Sequence, residues 1–310
     1  MHFGDRLITA VRKSGHPLCV GIDPHLHLIP QIFRIGDMAP NSLQTASAVR
    51  TFVAAVMDRV SGQAAVVKPQ SAFFEQMGWR GIEVLDNLMK RARANGIVVI
   101  LDVKRGDIGS TAEAYATAYL AKGAPLQADA VTINPYLGMD SLEPFIEAAD
   151  TNEGGTFVLV KTSNPGAKDF QGQSVGQEKF YQIVAHKLAD LAEKRRGPVT
   201  GWSSVGAVVG ANSPDEARKI RAELPDSPFL LPGYGNQGGT AQDSLAGFID
   251  GPEGPEGGVI SSSRDILFPK LPPGAIGKDW ERAVDRALNA AISDIRRALE
   301  RRSEEAAAAS

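Results

Sequence analysis

One stretch of this sequence concentrates groups able to move protons and hold charge: Leu101-Asp102-Val103-Lys104-Arg105-Gly106-Asp107-Ile108-Gly109, where five apolar residues give way to charge. In an extended strand, Asp102 and Lys104 fall on one side and Val103 on the other. Carboxylates flanking a lysine favour its ammonium form, the state that can donate a proton and the wrong one for a Schiff-base nucleophile. Read alone, the stretch is equally a solvated strand end with an incidental ion pair. Two further apolar runs end the same way, at Asp23 in VGIDPH and at Lys68 in VVKPQ. Three charged strand ends brought together must pair, because an unpaired buried charge is costly, and that convergence favours a functional site.

Two later segments have the composition of an anion site. Pro232-Gly233-Tyr234-Gly235-Asn236-Gln237-Gly238-Gly239-Thr240 follows one apolar run, and Ser261-Ser262-Ser263-Arg264-Asp265-Ile266 follows the next. Glycines let backbone N–H groups approach phosphate oxygens, and an arginine offers paired donors. A Gly-rich run by itself is simply a tight loop; its pairing with Arg264 points to phosphate. Lys161-Thr162-Ser163-Asn164-Pro165-Gly166 reads as a substrate-contacting loop or an ordinary turn. His25 and His27 lie two apart with no accompanying metal-ligand spacing, and they read as loop residues. Cys19 sits inside an apolar run and no Gly-x-Ser-x-Gly elbow is present, which leaves serine and cysteine nucleophiles weakly supported.

The elements that must position these residues follow from the apolar pattern. Eight short, β-branched runs, at 17–23, 64–70, 96–104, 128–134, 155–162, 204–210, 228–233 and 257–263, alternate with helical stretches such as 75–95, 110–122, 174–195 and 214–224. Most runs are apolar on both faces, as in a parallel sheet covered by helices. Eight such pairs predict a single-domain (β/α)8 TIM barrel over residues 1–302, with catalytic groups at the C-terminal strand ends. A doubly wound sheet is the rival; no run is followed by Gly-x-Gly-x-x-Gly. The segment 24–43 and the stretch IDGPEGPEGG read as loops, and the Ala-rich end, 303–310, as a disordered tail.

Composition narrows the partners. The 310 residues carry 33 Lys+Arg against 36 Asp+Glu, a net charge of -3 that favours a small-molecule substrate over nucleic acid or an anionic membrane. One cysteine excludes an intramolecular disulfide and a cysteine-cluster zinc site, and suits a cytoplasmic protein. The start, MHFGDRLITAVRKSG, reads as a short amphipathic helix and not as a signal peptide, and no apolar run approaches membrane-spanning length.

With VGIDPH, VVKPQ, LDVKRGDIGSTA, SNPG, PGYGNQGG and SSSRDI in this order, the chain resembles the orotidine 5'-phosphate decarboxylase family, particularly its longer second subgroup. Asn236 stands where that resemblance leads one to expect alanine. The resemblance implies that Lys68, Asp102, Lys104 and Asp107 form an alternating charged network with Lys104 as the proton donor, and that no cofactor or metal is used. It further implies that Asp23 and Lys68 hold ribose hydroxyls, Ser163 meets the pyrimidine, and Gln237, Gly238 and Arg264 grip the phosphate of orotidine 5'-phosphate. Asp107, Ile108 and Thr111 would reach into the partner's site of a homodimer. Other readings remain: another phosphosugar barrel, either a Schiff-base aldolase or a metal-dependent lyase, or a barrel that binds a phosphoribosyl ligand without catalysis.

Overall fold

A computed structural model describes residues 1–235 and 237–309; Asn236 and Ser310 lie outside the described residues. Eight parallel strands close into a barrel, which overturns the doubly wound alternative. They are β1 (Leu18–Ile22), β2 (Val66–Pro69), β3 (Val98–Arg105), β4 (Ala130–Ile133), β5 (Gly155–Lys161), β6 (Val205–Val209), β7 (Phe229–Leu231) and β8 (Gly258–Ser262). Each lies within a residue or two of its expected apolar run. Two-sided burial makes such runs legible: all five residues of β1, of β6 and of β8 are buried.

Two apolar layers hold the barrel. The larger lies between the strands and the surrounding helices, including Leu43–Val60, Trp79–Ala94 and the long last helix, which begins at Gly277. The smaller fills the barrel interior with Cys19, Val66, Val98, Ile100, Phe157, Val208, Leu230 and Val259, and the first helix, Phe3–Ser14, caps it through Phe3, Leu7 and Val11. Phe3 meets Phe157 edge-on at 6.1 Å between ring centroids. The fit beneath the barrel needs Gly155, whose hypothetical Cβ would lie 2.1 Å from the Phe3 ring. One end is therefore plugged by apolar side chains, and polar chemistry is left to the other.

The register sets that other end. Gly21 pairs with Lys68, and Gln70 bridges to Asp102, so the ends of β1, β2 and β3 stand at neighbouring levels.

The structure departs from the sequence reading in connecting segments. Residues 174–179 form a small hairpin, Ser174–Val175 with Glu178–Lys179, before the helix Phe180–Glu193 begins. The Gly/Pro stretch before β8 is also a hairpin, Ile249–Gly251 with Gly254–Glu256. The helical stretch at 75–95 is interrupted at Gly78, φ 63°, before the helix from Trp79. The last helix continues through Ala309, where the composition suggests a disordered tail from 303; alanine and glutamate are strong helix formers.

Candidate active site

A cavity of about 580 Å³ opens at the C-terminal ends of the strands, and its wall includes Asp23, Lys68, Asp102, Lys104, Ser163, Gln237 and Arg264. Seven of the eleven residues singled out from the sequence thus share one space. At its floor Asp102 is gripped from both sides. Lys68 Nζ donates to Oδ2 at 2.9 Å and Lys104 Nζ donates to Oδ1 at 2.6 Å.

Electrostatics holds Asp102 and Lys68 in their charged forms. Burial would raise the Asp102 pKa, but the two ammonium groups outweigh it and hold the carboxyl well below the usual range. Burial likewise disfavours a charged Lys68, and the attraction of Asp102 and Asp23 overcomes it, raising the pKa. Lys68 and Asp102 are only 6% and 5% exposed, whereas the Lys104 side chain retains 43%. Lys68 is thus the fixed counter-ion of the floor, and Lys104 is the cation presented to the cavity.

β3 delivers Lys104 through an irregularity. Its backbone has φ 46°, the left-handed region that a non-glycine residue occupies at a cost of about 1–3 kcal/mol. The register of β3 against β4 shifts between Leu101 and Arg105, so the strand bulges where the charged pair sits. Regular alternation predicts the same facing for Asp102 and Lys104 but gives no sign of the bulge.

The remaining wall suits a polar, phosphorylated ligand. Asp23 Oδ1 and Ser263 Oγ are buried without a hydrogen-bond partner, a cost that hydroxyl or phosphate oxygens of a ligand would relieve. Ser163 is fixed by close backbone approach: a Cβ on Gly233, φ 107°, would lie 3.2 Å from the Ser163 Cβ. The loop carrying it is pinned by Gln171, whose Oε1 accepts from the Thr162 N–H at 2.8 Å. Tyr234 in the Gly-rich loop donates to Asp294 of the last helix at 2.9 Å, anchoring that loop. Thr240 caps the following short helix by accepting from the Asp243 N–H.

Asp107, Ile108, Thr111 and Gly238 do not line the cavity. Asp107 Oδ1 accepts from the Ile108 N–H at 2.8 Å, and the Ile108 side chain is exposed. Phe73, Thr132 and Gln171 line the cavity without belonging to any segment singled out from the sequence for its chemistry, and Gln70, Thr162 and Tyr234 line it from within such segments without an assigned role. His25, read as a loop residue, is also in the wall: it packs against Phe73 at 4.2 Å between ring centroids, and burial lowers its pKa toward the neutral imidazole. Among the described residues no group of three or more His, Cys, Asp or Glu is placed to hold a metal ion. Cys19 is inert by position, its thiol pushed up to about 12 by burial beneath the floor.

The closed barrel, with lysine and carboxylate at its strand ends and an arginine beside a Gly-rich loop, defines a barrel enzyme for a phosphorylated small molecule. Residues 16–273 match the family described as Orotidine 5'-phosphate decarboxylase / HUMPS family, and the chain belongs to that family. It is similar to an orotidine 5'-phosphate decarboxylase of Rhodopirellula baltica, 43% identical over 86% of this chain and 89% of the relative. One of Caldicellulosiruptor bescii is 37% identical over 94% of this chain and 100% of the relative. Among solved structures, the Leishmania donovani OMP decarboxylase superposes with TM-score 0.71 at 34% identity, covering 96% of this chain and 98% of that one. Among the described residues no helix is long and apolar enough to cross a membrane.

Proposed function

We propose that Lys104 protonates C6 of the pyrimidine as this chain decarboxylates orotidine 5'-phosphate to UMP and CO2, the last step of de novo UMP synthesis. The observation that carries this is the partly exposed ammonium of Lys104, held 2.6 Å from Asp102 at the floor of the cavity. Loss of CO2 leaves an electron pair at C6 with little resonance delocalisation, so a preorganised positive charge must meet it. The Lys104 ammonium supplies the charge and then the proton, which forms the new C6–H bond. Asp102 keeps that cation in place before substrate arrives. Its charge near the substrate carboxylate also adds ground-state repulsion, a smaller contribution than the preorganised cation.

The other contacts follow the wall of the cavity. Asp23 and Lys68 take ribose hydroxyls, Ser163 takes the pyrimidine, and Gln237 and Arg264 take the phosphate, with Gly238, outside the wall, joining them as the Gly-rich loop closes. The phosphate lies away from C6, so its binding energy assists the reaction by closing the Gly-rich loop over the site.

A homodimer completes the charged network, with Asp107, Ile108 and Thr111 contributed across the interface. Two neighbouring loops support this. Asn134 N–H donates to Arg105 O, which ties the loop after β4 to the end of β3, and Ile108, Tyr136 and Leu137 on these loops are all exposed. Exposed apolar side chains on two adjoining loops, one of which carries a carboxylate outside its own cavity wall, suit a partner subunit. Residues 1–302 make up the catalytic unit, and the single buried thiol suits a reducing cytoplasm.

The test is purified protein with orotidine 5'-phosphate in excess EDTA, following both the ultraviolet change and UMP formation. Catalytic conversion supports this reading. Conversion only after divalent metal is restored supports the metal-dependent lyase, and stoichiometric binding without conversion supports the non-catalytic barrel.

A further inference from the structure

We propose that Thr132 is a positioning residue that sets the geometry of the Lys104–Asp102 pair. The inference rests on the proposed role of Lys104 as the acid. Leu101 pairs with Val131 and Arg105 with Ile133, so three residues of β3, Asp102, Val103 and Lys104, stand opposite Thr132 alone. A bulge of this size takes backbone N–H groups out of the regular ladder, and they need another acceptor.

Thr132 provides it. Its Oγ1 accepts from the N–H of Val103 at 3.0 Å and from the N–H of Lys104 at 2.9 Å. The hydroxyl donates to Asp102 Oδ1 at 2.9 Å, the same oxygen that accepts from Lys104 Nζ. A hydroxyl has one hydrogen and two acceptor sites, so all its capacity is used here. With both lone pairs taken by the bulge, its hydrogen is directed to Asp102. One side chain, 1% exposed, therefore fixes both the left-handed backbone of Lys104 and the orientation of its counter-ion.

This arrangement acts on the chemical step more than on substrate capture. Valine keeps the shape of threonine and removes all three hydrogen bonds; serine keeps the hydroxyl and removes only the methyl group. For Thr132→Val we expect kcat to fall about 10- to 100-fold, with KM for orotidine 5'-phosphate within about threefold of wild type. Thr132→Ser should restore kcat to within about threefold of wild type. If Thr132→Val does not fold, the pair Thr132→Ala and Thr132→Ser carries the same contrast.

Wild-type kcat in the valine variant, or in the alanine variant if valine does not fold, would overturn the proposal. So would equal losses in the serine variant and the hydroxyl-free variant, which would assign the effect to packing, or a rise in KM alone. Absence of turnover by the wild-type enzyme would instead overturn the reading of the site on which the proposal rests.

Discussion

The ammonium of Lys104 lies 2.6 Å from Oδ1 of Asp102, two residues earlier on the same strand, so the presented cation is held by its own element. The opposite oxygen of the carboxylate is held by Lys68 at 2.9 Å, and those two groups are nearly inaccessible to solvent. Removing either buried member strands a charge. Removing Lys104 does not, because Asp102 keeps its bonds from Lys68 and Thr132. Asp102→Ala should therefore destabilise the fold by about 3–5 kcal/mol. Lys104→Ala should cost no more than about 1 kcal/mol. Urea unfolding of the two variants beside wild type checks this, and equal losses would show that the floor does not carry the asymmetry described.

Asp107 gives a test of subunit sharing. If it serves the partner's cavity, mixing the inactive homodimers Lys104→Ala and Asp107→Ala under exchange conditions creates mixed dimers with one complete site each. Random reassortment makes half the dimers mixed and should restore about a quarter of wild-type activity per site. Activity that stays at the level of the separate variants, with exchange verified by mass, would place Asp107 in its own subunit's chemistry.

Arg264, at the start of the short helix that follows β8, and Gln237, on the loop after β7, stand in the cavity wall across the barrel from Lys104's strand. The double variant Gln237→Ala/Arg264→Ala should lose about 10²- to 10³-fold in kcat/KM on orotidine 5'-phosphate. Its weak turnover of orotidine, which lacks the phosphate, should match that of wild type. Equal losses on both substrates would mean that these side chains act elsewhere than on the phosphate.

His16 gives the fold a pH response away from the active site. It is buried, its Nδ1 accepts from the Leu18 N–H, and its Nε2 faces Gln63 O at 3.0 Å. Burial and then the charge of Arg296 lower its pKa from the ordinary 6.5, so the folded state holds it neutral. Below that ordinary value the unfolded chain binds the proton that the folded chain refuses, and stability falls as pH drops. His16→Gln should be less stable than wild type at pH 8 and should lose less further stability between pH 7 and pH 5.5. Urea titrations at those pH values measure the slopes; parallel slopes would remove His16 as the sensor.

Much of this architecture is written plainly in the chain, because a strand buried on both faces has to be apolar throughout, as VVIL in β3 and VGAVV in β6 are. The charged strand ends Asp23, Lys68, Asp102 and Lys104 stand out against such runs. Thr132 does not, since a threonine inside AVTI reads as an ordinary β-branched strand residue. Its importance arises from the bulge in the neighbouring strand, which leaves no local mark. Gln70 and Gln171 are equally silent, single polar residues whose roles come from distant loops folding together. Asp107 was legible only through family resemblance, because its proposed place is in another copy of the chain.

Delivery of the proton to C6 by Lys104 is tested by exchange of the C6 hydrogen of UMP with solvent deuterium, followed by NMR. Wild-type enzyme should catalyse this exchange. Lys104→Ala should abolish it together with nearly all turnover of orotidine 5'-phosphate, while still folding and still binding UMP measurably. A folded, UMP-binding Lys104→Ala enzyme that exchanged the C6 hydrogen and decarboxylated at near wild-type rates would contradict the account.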